Sequence, residues 1–278
     1  CKFVKCAFAF CSCCVIILDM KKFFLQTIAA LAALMAIFIL SACGAKDETP
    51  ALADAATTAA LEGTAAPDAE ATPAAYGANA SARVTATVAY SYADGDKTKL
   101  YAAVEYQNDG DCPIAVSNVK LTITAAGASE TVEFVPELSD YIVLLPGETG
   151  YIARWLGETT IPAGETITLN ASLTAQKRDE RGARITVDNL YIADNYPSVT
   201  TLSGRLTCQE GRACAANMIF AGFYDKSGRF IGAWYFSKNA LFEGGDSKNF
   251  VVDMNDFPIA KLSEKAADVR GIGFGFDF

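Results

Sequence analysis

The chain of 278 residues contains no histidine. That removes the commonest general base near neutral pH, and with it the Ser-His and Cys-His arrangements that activate nucleophiles. No Gly-x-Ser-x-Gly, phosphate loop or dinucleotide fingerprint occurs either. Without His, and without a second cysteine pair at zinc-like spacing, no metal or cofactor is implied. Positive charge is the scarcer sign: 23 Lys and Arg face 32 Asp and Glu, a net charge of −9. This balance argues against nucleic acid and against charge-driven docking on anionic lipid. Carboxylates are plentiful, so a paired-acid hydrolase stays open as a distant alternative, with Asp253, Asp256 and Asp277 as its candidates. Asp is also the ordinary residue of turns, and these three read as turn and surface groups. Asp94-Gly95-Asp96 matches only a fragment of a calcium loop and reads as a hairpin turn.

What is present begins with an address. Lys21 and Lys22 follow Met20, an apolar run extends from Phe23 to Leu40, and Leu40-Ser41-Ala42-Cys43 comes next. A short basic region, an apolar segment and a small-residue cleavage site form a secretory signal. Leu-Ser-Ala-Cys resembles the lipobox of bacterial lipoproteins. The resemblance implies that Cys43 receives a diacylglycerol and becomes the mature N-terminus. The apolar run is at the low end for a membrane span, and retention as an uncleaved anchor is the alternative. Either way, the rest of the chain is expected on the extracytoplasmic face of a cell membrane. Residues 1–19, which hold five of the nine cysteines, read as an upstream extension with Met20 as the initiator. Residues 1–42 are thus an extension plus signal. Their removal takes away four Lys and one Asp, leaving 19 basic and 31 acidic residues.

Residues 43–82 read as a disordered linker. Sixteen of the 39 residues from Gly44 to Ala82 are Ala, with Thr, Pro, Asp and Glu making up most of the rest and Tyr76 the single aromatic. Such a composition buries too little apolar surface to offset chain entropy.

Beyond it the hydrophobic period is two. Val84, Ala86, Val88 and Tyr90 alternate with polar or small residues, and strands are predicted at 100–106, 119–124, 131–135, 141–145, 151–155 and 166–173. After five charges in the seven residues from Gln176 to Gly182, strands are predicted at 185–192, 200–208, 216–224, 230–236, 248–254 and 272–278. Only 259–269 has a helical composition. The pattern predicts an all-β protein of two antiparallel, immunoglobulin-like sandwiches, 83–176 and 183–278. Gly204-Arg205-Leu206, then Phe223-Tyr224-Asp225-Lys226-Ser227-Gly228-Arg229, the turn Glu243-Gly244-Gly245-Asp246 and Phe250 resemble the FxLYD-type domains of Gram-positive surface lipoproteins over residues 200–254. Ala221 stands where that family has its leading aromatic.

Cys208 and Cys214 flank a five-residue loop between two predicted strands, a spacing that suits a disulfide in an oxidising compartment. Two thiols are the alternative. Cys112 reads as a small buried residue. Phe230 to Phe236 is dense in aromatics: Phe230, Trp234 and Phe236 share one parity, Ile231 and Tyr235 the other. Trp155, Trp234 and Tyr235 are therefore candidates for a binding surface, against core packing and an inter-domain contact. The function expected is a non-enzymatic binding or scaffolding lipoprotein, tethered by its lipid, whose partner is an envelope or extracellular protein or a glycan. A solute- or glycan-binding lipoprotein is the alternative.

Overall fold

The computed structural model describes residues 76–125, 127–195 and 199–276. The signal segment, Cys43 and the linker up to residue 75 lie outside the described residues, as do Asp277 and Phe278. What is described is all-β and antiparallel, with one helical turn, as the period of two predicts.

The expected linker gives way to structure before Ala82. Gly77 N–H donates to the Asp111 carbonyl at 3.0 Å, and Asp111 N–H donates to the Asn79 carbonyl at 3.1 Å. Composition does not reveal this, because the pairing is between backbones 32 or more residues apart. Next, β1 (Ala82–Asp94) and β2 (Lys97–Asn108) form a hairpin. Gly95, at φ 64, opens its two-residue loop, where hairpin turns need a positive φ. β3 (Ile114–Ala125), β4 (Ala128–Phe134), β5 (Thr149–Glu158) and β6 (Thr168–Lys177) complete two three-stranded sheets, ordered β1-β2-β5 and β4-β3-β6. The sheets meet along β1 and β6, where the Thr87 hydroxyl donates to the Leu169 carbonyl at 2.8 Å. The predicted strand at 141–145 is instead a turn with a single bridge, Leu144 to Ile114. Leu138 at φ 56 starts that turn, and the buried Asn108 amide holds the Leu144 carbonyl at 2.9 Å.

The charged stretch 177–182 leads from β6 into β7 (Ala183–Asn195). β8 (Val199–Cys208), β9 (Cys214–Tyr224), β10 (Phe230–Phe242), β11 (Ser247–Asp253), the turn α1 (Leu262–Lys265) and β12 (Asp268–Phe276) follow. They build one six-stranded sheet, β10-β9-β12-β7-β8-β11. β10 and β11 are joined by a short turn yet occupy opposite edges, so the sheet curls back on itself. Phe236 on β10 and Phe250 on β11 meet across the curl with ring centroids 5.0 Å apart. The expected helix shrinks to α1: Lys261 before it is left-handed at φ 54, and after it Ala267 N–H is taken by the Tyr224 carbonyl at 2.7 Å.

Candidate functional site: an aromatic seam and a cleft at a strand edge

Sheet β1-β2-β5 has two working faces. Register places Tyr90, Tyr101 and Trp155 in one row, Val88, Ala103 and Ala153 in the next, and Ala86, Glu105 and Tyr151 in a third. All nine therefore share the face that meets β9 and β10, forming a seam between the two β units. The opposite face, with Leu100, Ala102 and Val104, completes the core of the first unit, so residues 100–104 are buried without a break.

Hydroxyls close the seam. β10 is a sheet edge, and its outward Ala233 N–H donates to the Tyr101 hydroxyl at 2.9 Å, while that hydroxyl donates to the Ala233 carbonyl. The Tyr90 hydroxyl donates to the Ile231 carbonyl at 2.9 Å. At Ile231 and Ala233 the edge is thus capped by side chains of another sheet, and these three backbone groups do not remain unpaired. In the third row the Tyr224 hydroxyl donates to Glu105 and lies 3.0 Å from the Tyr151 hydroxyl. The Arg270 guanidinium stacks 4.1 Å from the Tyr224 ring centre. Burial pushes the Tyr151 phenol up to about 12, and burial followed by the hydrogen bond to Glu105 raises Tyr224 further. Both stay neutral donors over any physiological range.

The candidate surface residues are divided by a bulge. Pairing of β10 with β9 shifts between Phe230 and Gly232, so parity changes there. Phe230 stacks on Tyr151 at 6.3 Å, and Tyr235 also faces the seam, edge-on to Trp155 at 6.0 Å. Trp234 turns the other way, beside Phe236 at 5.6 Å. Trp155 also donates its indole N–H to the Asp256 carbonyl at 2.9 Å. The structure thus brings Trp155 and Tyr235 together, separates Trp234 from them, and leaves all three partly buried.

Tyr235 lines a cleft along the free edge of β5. Val116 and Phe134 wall it on one side, Met218 and Phe220 on the other, with Tyr106, Ile152 and Arg154 from sheet β1-β2-β5 between. Arg154 lies 5.0 Å from the Phe134 ring centre, and Glu137 and Ser139 stand at the rim. The enclosed volume is about 60 Å³. A 150 Å³ apolar cavity holds a benzene; this one takes an aliphatic side-chain tip. Sequence signals for it were absent, since its lining comes from six strands and a loop.

Cys208 closes β8 and Cys214 opens β9; both are buried, and their sulfurs stand 3.7 Å apart. Asp253 ends β11 and Asp256 lies in the loop beyond it. Among the described residues no three His, Cys, Asp or Glu side chains are placed to hold a metal ion. Comparison with family models, with curated proteins and with solved structures found no match to this chain.

Proposed function

We propose that this protein is a membrane-tethered, extracytoplasmic lipoprotein that binds or scaffolds another envelope or extracellular protein without catalysing a reaction. Leu40-Ser41-Ala42-Cys43 behind a basic and apolar segment supports the tether, and the FxLYD-like stretch in 200–254 fits the same setting. The observation that carries the binding role is the edge of β5, unpaired by any strand among the described residues, opening into an apolar cleft with Arg154 in its lining. A strand edge offers a row of backbone donors and acceptors, and pockets beside it select side chains; extended peptides are captured this way. The rigid seam behind β5 holds the edge ready, which lowers the ordering cost of association. A Cys208–Cys214 disulfide, formed after export, belongs to the same proposal.

The intact mass of the membrane-extracted protein tests the tether: Cys43 to Phe278 plus a diacylglyceryl group, two hydrogens lower for the disulfide. An unmodified N-terminus at or before Met20 sinks the lipoprotein reading. A photo-crosslinker at Glu137, on the cleft rim, is expected to trap an envelope protein that the same probe at Lys226, on a remote turn, does not. Equal capture at both positions sinks the cleft.

A further inference from the structure

A second cavity lies past the aromatic row of the seam, at the tip of the β1–β2 hairpin. Its volume is about 850 Å³, within the range of roughly 300–1,000 Å³ that small-ligand sites occupy. Tyr92 and Lys99, cross-strand partners, line it together with Asp94. The loop from Met254 to Lys261 also lines it, as do Asp194 and Thr200.

That loop is rigid. Trp155 pins the Asp256 carbonyl, and Phe257 packs edge-on against Tyr101 at 5.6 Å and Phe223 at 5.1 Å. Most charges around the cavity are already engaged. Lys99 pairs with Asp94, and Lys261 with Glu264 at 3.2 Å. Asp194 accepts from the Thr200 hydroxyl at 2.7 Å and from Ser263 N–H at 3.0 Å. Asn255 and Asp256 are exposed and their side chains make no hydrogen bond among the described residues, the Asp256 carboxylate acting on Lys99 and Tyr92 through space only, and Tyr92 is a partly buried ring in the lining. Among the described residues, both lysines in the lining already sit in ion pairs, which disfavours an anionic ligand. What remains is an acceptor, an amide that both donates and accepts, and an aromatic face. That set matches a ring carrying hydroxyls around its rim and C–H bonds on its face.

We propose that this cavity is a binding site for an uncharged glycan of one or two sugar rings, with Asn255 and Asp256 holding its hydroxyls and Tyr92 packing on its ring. The site is separate from the β5 cleft and adds a glycan to the protein partner of that cleft.

Calorimetric titration of the full chain, held in a sugar-free detergent, with maltose, cellobiose and chitobiose tests it. At least one disaccharide is expected to bind saturably, and Asn255→Ala/Asp256→Ala to weaken that binding about tenfold or more. Thermal melting of the variant should match the parent. If the double variant folds poorly, Asp256→Asn, which keeps the side-chain shape, is titrated in its place and is also expected to weaken binding. Heat from none of the three sugars, undiminished affinity in the variant that folds, or tighter binding of glucose 6-phosphate overturns the assignment. Each of those results leaves the tether and the cleft standing, because their readouts are mass and crosslinking.

Discussion

Single hydroxyls and carboxylates decide much at the residue scale. Tyr101 is fully buried, and its one oxygen serves both backbone groups of Ala233. Tyr101→Phe keeps the ring contacts with Trp155 and Phe257 but strands a buried N–H and C=O. The expected loss is about 1–3 kcal/mol, the usual cost of an orphaned buried polar group. It should appear as a lower urea midpoint at constant slope. Asp225 acts on the surface instead. Hydrogen bonds from the Ser227 hydroxyl and from the Ser227 and Arg229 N–H groups, with the Arg229 guanidinium, hold its carboxyl at about 2. An unfolded Asp titrates near 4. A depressed folded value means that its stabilising effect is complete above about pH 4 and fades as pH falls through about 2. Urea midpoints measured between pH 5 and pH 2 should therefore drop more steeply for the parent than for Asp225→Asn.

At the scale of elements, strand contacts depend on what a strand omits. Gly222 on β9 lies beneath Tyr151 of β5: a Cβ there would meet the ring at 2.2 Å. A tyrosine ring packed on both sides does not yield as a flexible side chain would. Gly222→Ala is expected to destabilise by about 1–3 kcal/mol, the cost of overpacking. It should also disturb the Tyr151–Tyr224 contact, visible as altered tyrosine fluorescence. The bulge at Ile231 and Gly232 works on the same scale. Strict alternation groups Phe230 with Trp234, but one inserted residue moves Phe230 to the side of Tyr235. A slip of one position exchanges the faces of every residue beyond it. Nothing in Phe-Ile-Gly-Ala-Trp marks the slip except Gly232, whose absent Cβ leaves room for Phe257 at 2.9 Å.

Over the whole molecule, the two β units share their best-buried strands. β2 and the second half of β9 are buried on both faces, because each packs within its own unit on one side and against the seam on the other. Arg184 adds a polar tie, donating to the Val143 carbonyl at 2.7 Å and pairing with Glu148 at 2.9 Å. The described residues accordingly form part of one compact unit. The β5 cleft and the proposed glycan cavity flank the seam, one at the edge of sheet β1-β2-β5 and one past its aromatic row.

The alternation of apolar residues and the Gly-containing turns were enough to define an all-β antiparallel chain and to place most of its strands, because both signals are local. Pleat and turn conformation are set by neighbouring residues. The strand at 141–145 failed because one long-range bridge and the Asn108 amide, not periodicity, organise it. The end of the linker failed because backbone pairing with Asp111 carries no compositional mark. The aromatic candidates were legible as residues but not as a surface. Trp155 and Tyr235 come from strands 80 positions apart, and only the packing of one sheet on another brings them together. The cleft and the cavity are likewise spaces between elements. Sequence determined the class of structure, because its signals are local, while tertiary packing alone decided which aromatic groups became seam, which strand edge stayed open, and where a ligand could enter.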